Sequence, residues 1–412
     1  MRRISVQYAK PDMTLARPLY DGYGHTILNQ GARLSTEWVQ VLGNLPVVEL
    51  FIVDERAEDL MVSPLISQDL EGTAAEALGR FVASVQVAAE RASVVLGARR
   101  LDSGNTGSVA TYPLDAVSHS TDPTRILQLV TQMVEQVVGM ERGEPTLAGC
   151  HSAKDYDYVL PVRVAGLALW MGKAAGLNDI QLLNLGTAAM LQNIGYVRVV
   201  PRELTQRPGV SWEELAFMDS WRTEDDDGSD TKATLPNESE MGIICKHPED
   251  GAEILRGCHG VNPEVIDIVL QHHERWNGGG YPKGLEGNDI SVSARILAIA
   301  DTCCTIASKR PYRQAFPPYE AGELVVACSG GLFDPDLVQI FMEQVPLFPV
   351  GVMVKLNTGE IGIVADANVG LVNRPVVRVC CGPDSSEVET PYDVDLSDDE
   401  YENVLVTKAL DY

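Results

Sequence analysis

Basic residues are scarce in this chain: 32 lysines and arginines stand against 58 aspartates and glutamates, a formal net charge of -26. Nucleic acid and anionic membrane surfaces are recognised by clustered positive charge, so no general nucleic-acid or membrane binder is expected, although a small anion can still meet a locally basic pocket. No continuous apolar run of about 18 residues occurs. The opening Met1-Arg2-Arg3-Ile4-Ser5 leads into no apolar core of signal-peptide length. The eight cysteines contain no Cys-x-x-Cys pair and no regular spacing, which speaks against a disulfide framework and for a reduced, cytoplasmic chain. A P-loop, a Rossmann glycine pattern and a Ser-His-Asp motif are also missing.

What is present divides into four parts, since 412 residues at 45% hydrophobic content exceed one ordinary core. Residues 1–62 alternate short apolar runs with turn clusters around one helical stretch, Ser35 to Leu42, and predict a small α+β domain. Residues 63–123 begin with helical spacing through Leu78, Phe81, Val82, Val85 and Ala88, which suits a connecting helix or a dimerisation helix and leaves a homodimer open. A polar Ser/Thr/Asp/Gly stretch follows as linker. Residues 124–348 read as an all-α domain, and 349–412 as a small all-β, barrel-like domain built on Val352 to Leu356, Ile361 to Ala365, Val376 to Cys380 and Val404 to Ala409.

Inside the helical part, Thr124 to Val138 and Val162 to Ala175 are helices, and Asn178 caps a third that runs through Leu182, Leu185 and Leu191 to Gly195. Asn262 and Pro263 open another, whose face Val265, Ile266, Val269 and Leu270 continues onto His273. Ser291 or Ser293 opens the next, on which Leu297, Asp301 and Cys304 share a stripe. Between Trp221 and Met241 the pattern breaks into an acidic insertion carrying Glu224, Asp225, Asp226, Asp227 and Asp230, read as a solvated loop or as a cover near a pocket.

The chemistry gathers around His272-His273-Glu274-Arg275-Trp276-Asn277-Gly278-Gly279-Gly280-Tyr281-Pro282-Lys283-Gly284, a polar helix end feeding a tight loop. With His247 and Asp301, the two histidines supply four ligands suited to a borderline or hard divalent metal. Adjacent helical residues point about 100° apart, so His272 and His273 share an ion only where the helix unwinds, expected at Asn277-Gly278-Gly279-Gly280. Isolated histidines are more often core or surface residues. Asp301, on an apolar stripe, needs a cation or donors, and a metal or His273 would supply them. Cys303 and Cys304 read as core residues rather than reactive thiols. Arg310 and Arg313 are equally well phosphate contacts or ion-paired surface arginines.

These motifs resemble the HD-GYP family of bacterial phosphodiesterases acting on cyclic di-GMP. The resemblance covers roughly 155–341 and is carried by His272-His273-Glu274-Arg275 with Gly280-Tyr281-Pro282, by Arg295-Ile296-Leu297-Ala298-Ile299-Ala300-Asp301, by Arg310-Pro311-Tyr312-Arg313, and by Lys246-His247-Pro248-Glu249-Asp250-Gly251. It implies an HD-type helical fold with His247, His272, His273 and Asp301 at a metal site, and Tyr281, Arg310 and Arg313 as ligand contacts. It also implies cyclic di-GMP as ligand and a diguanylate cyclase domain protein as partner at the Gly280-Tyr281-Pro282 loop.

The departures lie elsewhere. Where the family carries Leu-His-Asp-Ile-Gly-Lys, this chain reads Leu191-Gln192-Asn193-Ile194-Gly195-Tyr196, and Leu160 stands where a further ligand histidine is expected. The bridging aspartate neutralises two cations and holds the attacking hydroxide, which the neutral Asn193 does poorly. The resemblance therefore implies a catalytically degenerate member with no catalytic residue set, holding at most one divalent ion such as zinc, iron or manganese. The competing readings are a residual one-metal phosphodiesterase and a structural pseudoenzyme that binds no nucleotide.

Overall fold

The computed structural model describes residues 1–20, 26–44, 49–95, 122–143, 145, 153–198, 238–308, 316–368, 370–371 and 373–410. The linker after Val95 and the acidic insertion lie outside these residues, as do Arg310 and Arg313.

The N-terminal part pairs β1 (Arg2–Ser5) antiparallel with β4 (Glu49–Ile52), and β2 (Leu19–Tyr20) with β3 (Thr26–Leu28), around α1 (Thr36–Asn44). Ile4, Leu15, Leu34, Leu42, Leu50 and Ile52 close its small core. The helix α2 (Gln68–Val95) follows. It does not bridge domains as a bare rod: Leu70, Ala74, Leu78, Phe81 and Val85 are buried in the same core as the helices downstream. Its apolar face is thus covered within the chain, a partner that helical spacing alone does not name.

The central core joins α2 to α3 (Thr124–Gly139), α4 (Ala153–Ala174) and α5 (Asp179–Leu191). The short α6 (Glu238–Ile244) follows, with Met241 and Ile244 buried, and the core continues through α7 (His247–Arg256), α8 (Pro263–Gln271), α9 (Val292–Ile306), α10 (Pro318–Ala327) and α11 (Pro335–Gln344). Asn178 caps α5 as expected, its side chain accepting from the Ile180 and Gln181 amides at 3.0 and 3.1 Å. Asn262 does the same for α8 through Glu264, and Ser291 for α9 through Ala294. α4 starts before the expected Val162 and carries Pro161 within it. α4 and α5 supply the buried floor, and α7, α8 and α9 bring the polar residues to one end of it.

The C-terminal part is one antiparallel sheet in the order β8-β7-β6-β5-β9, with β5 Met353–Leu356, β6 Ile361–Asp366, β7 Val376–Cys381, β8 Glu387–Asp395 and β9 Val406–Leu410. Val354, Val364, Val377, Val379 and Ala409 fill its inner face. Four of these strands follow the expected apolar runs. β8 does not, because its edge position leaves Glu387, Glu389 and Asp393 in water and removes the apolar signal.

The two ends of the chain meet. Ala57, Leu60 and Val62 share an apolar cluster with Val350, Ile363, Ala367 and Cys380. Arg378 fastens the seam: its guanidinium donates to Asp393 at 2.7 Å and to the Arg56 carbonyl at 3.2 Å, and it also bonds Asp59. No helix among the described residues is long and apolar enough to cross a membrane.

Candidate metal and nucleotide site

The helix carrying the histidine pair ends sooner than the glycines suggest. α8 stops at Gln271, His272 is its C-cap, and the Glu274 amide closes a tight turn onto the Gln271 carbonyl at 2.8 Å. Leaving the helix here lets both rings turn inward, their centroids 4.1 Å apart. His247, at the start of α7, completes a buried group whose ligand atoms lie within 4.8 Å of one another. Among the described residues no carboxylate joins that group.

Backbone carbonyls fix the tautomers. His247 Nδ1–H donates to the Ile244 carbonyl at 2.8 Å and His272 Nδ1–H to the Val269 carbonyl at 2.6 Å. A carbonyl can only accept, so in both neutral rings the lone pair sits on Nε2. These two Nε2 atoms face each other at 3.2 Å. His273 Nδ1 is buried with no hydrogen-bond partner. Facing lone pairs repel unless a cation lies between them, so these donors fit one metal ion. Burial keeps the rings neutral: it holds His247 down at about 4, and His272 and His273 well below the ordinary histidine value, with the neighbouring imidazoles and Arg275 adding to the shift of the last two. Bound there, a metal would supply Lewis acidity, and His247, His272 and His273 would hold it.

Opposite the histidines, the start of the 3₁₀ turn Ile194–Arg198 packs hard against α7. A Cβ on Gly195 would collide with the His247 carbonyl oxygen and lie 2.7 Å from the Gly251 nitrogen, so only glycine fits. Arg198 locks the turn to α7 through Asp250, and through Glu253 at 3.1 Å. Tyr196 stacks on the His247 ring at 4.3 Å. Gln192 is fully buried, and its amide donates to Asp301 Oδ1 at 2.8 Å while its own Oε1 has no partner. The carboxylate of Asp301 is therefore met by an amide rather than by His273 or within the histidine group. Gln192 and Asp301 are far apart in the chain, and nothing in the spacing of either announces the pairing.

The glycine loop is held by groups the sequence places but does not explain. Glu274, buried, accepts from the Lys283 and Leu285 amides at 2.8 and 2.9 Å, while Arg275 donates to the His272 and Glu274 carbonyls at 3.2 and 3.1 Å. The Trp276 and Asn277 amides pair with Leu332 and Gly331. Asn277 accepts from the Gly279 amide at 2.9 Å, a turn that asparagine makes as well as aspartate. A Cβ on Gly280 would strike the Arg275 nitrogen and the His273 oxygen. Tyr281 stacks on His273, with ring centroids 4.7 Å apart.

Two family models match: "HD domain" over residues 230–337 and "KOW domain associated with HD domain" over 353–412. Among curated proteins, the chain is 29% identical over 263 residues to the cyclic di-GMP phosphodiesterase PA4108 of Pseudomonas aeruginosa, covering 64% of this chain and 57% of that protein. It is 33% identical over 168 residues to the cyclic di-GMP phosphodiesterase response regulator RpfG of Xanthomonas campestris, covering 38% of this chain and 43% of that protein. The chain belongs to the HD-GYP family.

Within this HD-GYP chain the match to curated relatives spans about half of their length, 57%, 43% and 42% for the first three. Among solved structures, Bd1817, an HD-GYP-type protein of Bdellovibrio bacteriovorus, aligns over 82% of this chain and 97% of that one, with 15% identity and a TM-score of 0.40. Of the HD-GYP positions singled out in the sequence, His247, His272, His273 and Tyr281 come together, and Leu160 is buried in the helical core. Asn193 and Tyr196 are half-buried, and Tyr196 lies against the His247 ring. Cys303 and Cys304 are buried, and burial pushes the Cys303 thiol up to about 12, as a core residue requires.

Proposed function

We propose that this HD-GYP chain is a catalytically degenerate signalling module, a cyclic di-GMP sensor or protein-interaction unit that does not hydrolyse its ligand. One observation carries the reading: the two positions of the family's His-Asp dyad hold Gln192 and Asn193, and Gln192 spends its amide on Asp301. Neutral carboxamides neither balance two adjacent cations nor hold a hydroxide between them, so the in-line attack on phosphorus lacks its nucleophile. The retained side supports recognition. The glycine loop leaves Gly279, Lys283 and Gly284 exposed, beside a half-buried Tyr281, and this is the surface offered to a diguanylate cyclase domain. Tyr281, Arg310 and Arg313 are the residues assigned to nucleotide contact, and a bacterial cytoplasm is the setting. The proposed division is 1–62, 63–123, 124–348 and 349–412, with α2 joined to the helical part by packing.

Incubation of the full chain with cyclic di-GMP, added manganese or zinc and product analysis tests this. No linear product is expected, together with saturable nucleotide binding weakened by Arg313→Ala. The second reading, a residual one-metal phosphodiesterase, is favoured by the intact histidine group. It requires turnover that disappears in His273→Ala.

A further inference from the structure

We propose that Cys380 and Cys381 form a redox-modifiable thiol pair: a hydroperoxide joins them as a disulfide, and that bond loosens the seam between the two ends of the chain. The observation behind it is a break in strand alternation. Along β7, Val377 and Val379 pack in the inner core of the sheet, while Arg378 and Cys380 face the seam. Strict alternation sends Cys381 back to the inner face. It packs instead against the seam cluster that buries Cys380. The cause is a bulge: Val379 pairs with Gly362 and Cys381 with Ile361, so Cys380 is an extra residue in the β6 register. The register toward β8 shifts at the same place, between Val379 and Cys381. Two adjacent thiols thus share one face of the sheet.

Their exposure is unequal. Cys380 is buried, its Sγ–H donating to the Arg378 carbonyl at 3.4 Å, and Cys381 is half-buried. Burial pushes the Cys380 thiol up, and the Arg56 guanidinium opposes that shift. Cys381 is therefore the sulfur that a small hydroperoxide reaches first. Its thiolate attacks one peroxide oxygen: an S–O bond forms, the O–O bond breaks, and the remaining oxygen leaves as an alcohol or water after taking a proton. The Cys380 sulfur then attacks the sulfenic sulfur. An S–S bond replaces the S–O bond, and the hydroxyl departs as water with the Cys380 proton. The two thiols lose two electrons and the peroxide gains them. Adjacent Cα atoms stand about 3.8 Å apart, below the roughly 4.4–6.8 Å usual across a disulfide, so closing this ring bends the chain at the bulge. Cys380 shares its cluster with Ala57, Leu60 and Val62, so that bend is felt at the N-terminal side of the seam. Cys303 and Cys304 repeat the residue pair inside α9, where both are completely buried, and serve as an internal control.

The test treats the reduced full chain with hydrogen peroxide, alkylates the remaining thiols and reads the peptide containing 380–381 by mass spectrometry. Loss of two hydrogens from that peptide is expected, reversed by dithiothreitol, with Cys303 and Cys304 still reduced. The Ala57 and Leu60 amides, which donate to the Asp54 and Ala57 carbonyls, should exchange about tenfold faster after oxidation, while the amides of α5 keep their rates. Cys381→Ser should abolish both the disulfide and the exchange response. A trivalent arsenical, which bridges two thiols only when they lie on one side, should bind the parent at the 380–381 peptide and not bind that peptide in Cys381→Ser. Alkylation of both thiols after peroxide, sulfinic acid at Cys381 alone, a disulfide between two chains, or no arsenical on the parent peptide would overturn the proposal. So would a 380–381 disulfide that leaves exchange at Ala57 and Leu60 unchanged.

Discussion

The two walls of the histidine site differ in the groups they present. On the histidine wall both side chains and backbone supports are in place: carbonyls orient His247 and His272, and Glu274 ties down the glycine loop. On the opposite wall Gly195 presses on α7 and Arg198 clamps Asp250, while Gln192, Asn193 and Tyr196 are neutral side chains. The comparison teaches that a signature loop can be held by folding forces alone. Glu274, Arg275 and Gly280 all serve the loop's own structure, so their presence says little about hydrolysis. The chemistry must be judged from the wall that does not stabilise the loop.

Four measurements break or sharpen this contrast. The largest effect is expected from Gly195→Ala, since backbone atoms of His247 and Gly251 occupy the space of the new methyl. A loss of about 4 kcal/mol in denaturant unfolding, or failure to fold, would show that this wall is structurally demanding. A stability equal to the parent's would show that the wall has become slack.

Acid should act mainly on the histidine wall. In the folded chain His247 titrates at about 4 against an ordinary value of 6.5, and His272 and His273 shift the same way. Below 6.5 the unfolded chain takes up protons that the folded chain refuses, so stability is full above that pH and falls as pH drops through about 4. His247 alone should contribute a loss on the order of 3 kcal/mol. Chemical unfolding at pH 7.5, 6 and 5 checks this, and His247→Gln should flatten the profile.

Glu274→Ala should cost about 2 kcal/mol by stranding the Lys283 and Leu285 amides, with Glu274→Gln losing less because one acceptor remains. Hydrogen exchange at those two amides distinguishes a loosened loop from global unfolding. The smallest effect belongs to Tyr196→Ala, which removes the stack on His247 at a cost of about 1 kcal/mol. A much larger loss would mean that Tyr196 supports its wall as Glu274 supports the loop.

Much of this arrangement was legible in advance because local physics writes it locally. Asn178 and Asn262 precede apolar faces and cap the helices they announce, and His247, His272 and His273, singled out as ligand types, lie together. Long-range pairings were not legible. Nothing about Asp301 says that an amide 109 residues earlier will satisfy it, and the apolar stripe of α2 does not specify whether its cover comes from this chain or another. The point at which α8 ends was misplaced because Asn277 to Gly280 are stronger breakers than Gln271. The turn begins earlier, where inward-facing rings and the Glu274 amide settle it. β8 was missed because an edge strand in water has no need of an apolar alternation.

The seam between the first and last parts of the chain makes their order in the sequence misleading. Residues 57–62 and 350–380 complete one another's apolar surface, and Arg378 stitches them together, so the two ends behave as one composite body with the helical domain inserted between its halves. Cutting the chain at 349 would therefore not liberate an intact remainder. It would leave Ala57, Leu60 and Val62 bare, and the damage would be felt first at the opposite terminus from the cut.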